Sequence, residues 1–164
     1  MIPLFRDQIR HGGPVTVTVP EMTRFLLTLN EAVDTVFAAI ENAKRGETYI
    51  PRAPSATVMN IARALIAGGP VKIDVVGIRP GEKMHEILVS EEEAHHCVAR
   101  GKYYAIRPML PELAGDFPGE PNALKGEYSS ADAVLDHQGT MELLKRHGLL
   151  DVPEGFESAE EMLR

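Results

Sequence analysis

Hydrophobic spacing along this chain switches repeatedly between a period of two and a period near 3.6, which predicts short strands alternating with helices. Residues 1–11 predict a short helix: Pro3 suits a first turn, Leu4, Phe5 and Ile9 give an apolar side, and Gly12-Gly13 stop it. Val15-Thr16-Val17-Thr18-Val19 alternates β-branched residues between Pro14 and Pro20, the pattern of a strand. A second extended stretch covers 24–28. It runs into Thr28-Leu29-Asn30-Glu31, a capping-box pattern in which Thr28 and Glu31 satisfy each other's orphan amides. The helix that follows carries Ala32, Val33, Val36, Phe37 and Ile40 on one face, and Gly46 ends it.

Further along, 48–50 predict a short strand, and Thr57 caps a helix through Ile66 that Gly68-Gly69 close. Residues 71–76 predict a strand that empties into the loop Gly77-Ile78-Arg79-Pro80-Gly81-Glu82-Lys83. An acidic helix over 90–99, a strand over 103–106 and a helix over 139–147 complete the regular elements. The proline- and glycine-rich residues 107–127 predict an extended arm. This is a mixed α/β plan, with one domain over 1–150 and an acidic tail over 151–164. The buried apolar strands are too few for a complete doubly wound sheet, and the first strand does not lead into the glycine-rich turn that opens a dinucleotide fold.

Charge and cysteine content narrow the function classes. A net charge of −7 over 164 residues disfavours nucleic acid or an anionic membrane as the main partner, because both select a basic face. No apolar run approaches the length of a membrane span, and the first residues lack the basic-then-apolar pattern of a signal peptide. One cysteine, Cys97, excludes an internal disulfide framework and fits a reducing, cytoplasmic setting.

The strongest chemical signal is Arg79-Pro80-Gly81-Glu82-Lys83, directly after a strand. Ligands of open α/β sheets collect beyond the carboxyl ends of strands, Arg79 offers a planar fork for phosphate, and Glu82 suits ribose hydroxyls. A solvated, charged turn fits the same spacing equally well. Arg24 opens an otherwise apolar stretch, where it can meet a bound anion or pair with Glu21 or Glu31. His95-His96-Cys97 beside Glu91, Glu92 and Glu93 suggests metal ligands, but neighbouring helical residues point apart and a full ligand set is missing, so no metal site is assigned. No catalytic residue is assigned either: none of Tyr49, Tyr103, Tyr104 and Tyr128 has a lysine four residues on, and no nucleophile elbow or phosphate-binding loop appears.

Ile2-Pro3-Leu4-Phe5, then Gly12-Gly13-Pro14-Val15-Thr16-Val17-Thr18, Met22-Thr23-Arg24-Phe25, Asn30-Glu31-Ala32-Val33 and Gly77-Ile78-Arg79-Pro80-Gly81-Glu82-Lys83-Met84-His85-Glu86 form an ordered series. Through Ser90-Glu91-Glu92, Tyr103 to Pro108 and Tyr128-Ser129-Ser130, the series covers most of the chain. It resembles the inverting UDP-N-acetylglucosamine 4,6-dehydratases and related epimerases of polysaccharide biosynthesis, extended short-chain dehydrogenase/reductases. The resemblance implies a UDP-sugar ligand and roles for eight residues. Ile2, Pro3 and Phe5 would border the uracil, with Val15 and Val17 on the strand beside it. Arg24 and Arg79 would contact the diphosphate, and Glu82 the uridine ribose.

The same resemblance implies that NAD(P) and the Tyr-x-x-x-Lys pair belong to a preceding segment, the Rossmann half. This chain would then be the small substrate-binding domain of an extended short-chain dehydrogenase/reductase, lacking the Rossmann half, with no cofactor of its own and inactive alone. Two other readings stand beside it: a stand-alone interaction or regulatory module, and an enzyme half completed in trans by a Rossmann-bearing chain. Apolar residues of the first helix, the capping-box helix and the 103–106 strand would lose cover without that half, which predicts a homo-oligomer or a Rossmann-domain partner.

Overall fold

The computed structural model describes residues 1–110, 112–113 and 119–150. Their elements, in chain order, are α1 (Ile2–Arg10), β1 (Val15–Val17), β2 (Thr23–Phe25), α2 (Leu29–Asn42), β3 (Thr48–Pro51), β4 (Ser55–Thr57), α3 (Val58–Ile66), β5 (Ile73–Val75), β6 (Ile87–Val89), α4 (Glu91–Ala94), β7 (Cys97–Arg100), β8 (Tyr103–Ile106), β9 (Tyr128–Ser129), β10 (Val134–Leu135) and α5 (His137–Arg146). This is the mixed α/β plan that the hydrophobic spacing predicts. The chain divides into two interleaved compact units. Met1–Arg24, Ser55–His85 and the stretch from Val134 form one; Phe25–Pro54 and Glu86–Ala133 form the other. The acidic tail, 151–164, and part of the 107–127 arm lie outside the described residues.

In the first unit β1 and β5 pair in parallel, with Thr16 opposite Asp74 and Val17 opposite Val75. A second small sheet has the order β10-β4-β2, and β10 runs parallel to β4. The core centres on α3, which buries Val58, Ile61, Ala62, Ala64 and Leu65. Such near-complete burial follows from its position, packed by α1, β1 and α5. Thr57 begins α3 by accepting the Asn60 N–H at 3.0 Å. Ala67 then ends it in the left-handed region at φ 49°, an unusual conformation for a residue with a Cβ.

In the second unit β8 lies between β3 and β7, antiparallel to both. Val89, Ala94, Cys97 and Ile106 form its core, with Ile50, Tyr104, Leu124 and Tyr128 packed around them. The helix predicted over 90–99 is one short helix followed by the start of a strand. Ser90 and Glu93 do form a capping box, but the helix stops at Ala94 and the chain turns into β7. Backbone pairing of Cys97 with Ile106 and Val98 with Ala105 outweighs the local helical signal.

The capping box of α2 is formed as the sequence predicts, Thr28 and Glu31 bonding reciprocally. Only Thr35 of this helix is buried. Leu29, Val33, Val36, Phe37 and Ile40 are 43% to 80% exposed, although their spacing is that of a core-facing stripe. The 103–106 strand, also expected to lose cover, differs: Tyr103, Ala105 and Ile106 are buried, and Ile106 packs in the core with Val89, Ala94 and Cys97.

Candidate functional site

A pocket of about 220 Å³ opens in the first unit, lined by Met1, Leu4, Phe5, Thr16, Thr18, Met22, Arg24, Val58, Val76, Arg79 and Glu82. Part of its lining comes from β1 and α1. On β1, Val15 and Val17 are 0% exposed and belong to the core. Thr16 and Thr18 line the pocket instead, since successive side chains of a strand point to opposite faces. Val15 and Val17, expected on the strand beside the base, thus lie on the core face of that strand and outside the pocket lining. On α1, Phe5 is buried and Leu4 is exposed, and both reach the lining. Ile2 and Pro3 do not.

The remaining wall is polar. The chain leaves β5 tied to the first strand, with the Val76 N–H donating to Val17 O and the Gly77 N–H to Thr18 O, both at 2.9 Å. A turn follows, and the Arg79 N–H donates to the Glu82 carboxylate at 2.9 Å. Gly81, at φ 86°, holds a backbone conformation that a side chain would strain. Beyond it the Thr23 N–H donates to Met84 O at 3.0 Å, and Thr23 Oγ1 lies 2.7 Å from His85 Nδ1.

Arg24 stands on the same post. Its guanidinium donates to Thr23 O at 2.7 Å and Met84 O at 3.4 Å, and contacts Met22 Sδ at 2.9 Å. Of the eight residues singled out by sequence, Phe5, Arg24, Arg79 and Glu82 meet in one pocket, from segments more than fifty residues apart. Leu4 and Thr16 fall within the segments that the sequence points to, whereas Met1, Thr18, Met22, Val58 and Val76 were not singled out. For the threonines a signal existed: the polar members of an alternating strand oppose its core face.

The pocket pairs cationic donors and hydroxyls with an apolar floor, a composition that suits an anionic ligand carrying a flat or apolar group. A nicotinamide dinucleotide does not fit these residues. Such a ligand needs a glycine-rich turn that opens a helix, so that helix amides hold the pyrophosphate. Here β1 runs into Thr18-Val19-Pro20, and the turn with Gly77 and Gly81 leads to β6 rather than to a helix. Among the described residues no cluster of three or more His, Cys, Asp or Glu is arranged to hold a metal, and no helix is long and apolar enough to cross a membrane.

Residues 1–108 match the family described as polysaccharide biosynthesis protein. The UDP-glucose 4-epimerase of Rickettsia akari (strain Hartford) is 42% identical over 111 residues, which make up 66% of this chain and 32% of that protein. That of Rickettsia canadensis (strain McKiel) is 41% identical over the same shares. Among solved structures, the X-ray structure of Pen from Bacillus thuringiensis matches with a TM-score of 0.79 and 29% identity, over 92% of this chain and 46% of that one. The chain thus spans about a third of the length of the curated relatives it matches.

Proposed function

The chain belongs to the polysaccharide biosynthesis protein family, and we propose that it is the nucleotide-sugar-binding portion of a UDP-sugar epimerase or dehydratase of that family. One observation carries this reading: Arg24, Arg79 and Glu82 converge with two threonine hydroxyls on a pocket floored by Phe5, Met22 and Val58. Two guanidinium groups grip a diphosphate, Glu82 accepts from ribose hydroxyls, and the apolar floor takes the base. The sugar we favour is N-acetylglucosamine, from the ordered motifs of the sequence. The names of the relatives point to glucose.

Catalysis needs more than this portion. Hydride chemistry requires a nicotinamide cofactor; among the described residues no glycine-rich turn opens a helix, and the sequence holds no Tyr-x-x-x-Lys pair. The chain alone binds and orients the UDP-sugar without converting it. The exposed stripe of α2 favours a second, compatible reading in which a separate Rossmann-bearing chain completes the enzyme in trans and covers that face.

Calorimetric titration with UDP, UDP-N-acetylglucosamine and UDP-glucose tests the proposal. UDP binds, and Arg79→Ala weakens it by about 1.5–3 kcal/mol, the cost of one charge-assisted contact. Arg79→Lys recovers only part, because an ammonium lacks the two-pronged geometry. A folded chain that binds none of the three ligands would leave an interaction module without this ligand as the better account.

A further inference from the structure

Beyond the lining itself, His85 joins the loop that bears Arg79 to the strand that bears Arg24. The segment carrying Arg79 and Glu82 is fixed at two posts. The first is β1, through the Val76 and Gly77 amides. The second is Thr23, which bonds to two successive residues of the segment: its N–H to Met84 O and its hydroxyl to His85 Nδ1, one donating and the other accepting according to the ring tautomer. Thr23 is buried, so this post does not shift with solvent. Arg24, the next residue, rests its guanidinium on Thr23 O and Met84 O.

The side-chain link between Thr23 and His85 thus joins the base of Arg24 to the end of the loop that bears Arg79. We propose that His85 is a positioning residue: it latches the Gly77–His85 loop to β2 and so holds Arg24 and Arg79 at the spacing a diphosphate requires, without touching the ligand. Two cations placed for one diphosphate lose grip when either moves by about an ångström. A base held by Phe5, Met22 and Val58 would not feel that movement, and the single Glu82 contact to a ribose would feel less of it than two cations on one diphosphate. The inference rests on the nucleotide-binding reading and names what tunes it.

Amide NMR titrations with UDP and with uridine separate the two. For the unaltered chain UDP binds more tightly than uridine. His85→Ala weakens UDP by about five- to tenfold and leaves uridine within about twofold. Thr23→Val, which removes only the hydroxyl, does the same. The double variant is no weaker than the worse single one, the non-additivity of two groups in one contact. His85→Asn, with an amide near the Nδ1 position, restores most of the UDP affinity. Equal losses for UDP and uridine, or full additivity of the two substitutions, would overturn the latch and leave a general packing role. UDP binding to His85→Ala as to the unaltered chain would also overturn it, while leaving the nucleotide reading intact. An unaltered chain that binds no UDP removes both.

Discussion

The side-chain amide of Gln8 clasps Thr16 twice, accepting the Thr16 N–H at 3.1 Å and donating to its hydroxyl at 2.7 Å. A residue of α1 thereby fixes one wall of the pocket against another, and the glutamine takes the place of a neighbouring strand. Gln8→Leu keeps the bulk and leaves the Thr16 N–H without its partner. The expected loss is about 1–3 kcal/mol in urea denaturation, with faster hydrogen exchange at Thr16. A loss under about 0.5 kcal/mol, within the range of a neutral surface change, would show that water replaces the amide without cost.

The two faces of β1 divide stability from binding. Val17→Ala removes buried methyl groups and costs about 2 kcal/mol of stability, leaving UDP affinity within about twofold. Thr18→Val keeps the shape and removes a hydroxyl from the pocket lining. It weakens UDP by about 0.5–1.5 kcal/mol and leaves the denaturation midpoint nearly unchanged. The opposite partition, read from paired melts and titrations, would place the ligand on the other face of the strand.

In a sample of the purified chain, the α2 stripe has only other copies to meet. Light scattering over a dilution series should show weak, concentration-dependent association, because one helix face is smaller than the roughly 20–30 residues a side of a standard interface. Phe37→Glu together with Ile40→Lys should abolish it with the circular dichroism spectrum preserved. An unaltered chain that stays monomeric at millimolar concentration would sink this expectation.

Arg100 holds two carboxylates, Glu47 at 2.6 Å and Glu120 at 2.5 Å, and the Glu47 side chain is wholly enclosed. Arg100→Ala strands that enclosed carboxylate and should cost about 2–4 kcal/mol, somewhat below a fully buried pair because Arg100 keeps some exposure. The Arg100 hydrogen bond, and then that of Lys44, holds the Glu120 carboxyl below its ordinary range. A depressed folded-state value gives stability that is complete above the unfolded value and lost as pH falls through the folded one. Acid melts should therefore show Glu120's share vanishing below about pH 4.5, and vanishing less in Arg100→Ala. Identical acid profiles for both proteins would count against the pair.

Much of this architecture could be read from local sequence. The Thr28–Glu31 box, the Thr57 cap and the five-residue alternation of 15–19 act within a few residues, and each element appears where those residues put it. The short strands β4, β6, β9 and β10 left no such trace. Two or three residues cannot show a period, and β10 exists because Val134 finds Ser55 across nearly eighty positions. β7 was hidden by a stronger local signal, the Ser90 cap and its three glutamates. At the pocket, the charged residues stood out because their chemistry is rare in an apolar context. The inward or outward sense of Val15 and Thr16 required the burial logic of the strand to be applied to the ligand as well as to the core.

The interleaving of the two units has a consequence for how the chain comes off the ribosome. The first unit is built from stretches that begin at Met1, Ser55 and Val134, and α3 at its centre packs against α5 near the far end. α1, β1, α3 and β5 can meet once His85 has been made, but the side of α3 that α5 packs against stays open until residues beyond His137 emerge. A stop placed between Ala133 and Val134 would spare every residue of the second unit and every residue of the pocket lining, and still leave α3 without the helix α5 that packs against it.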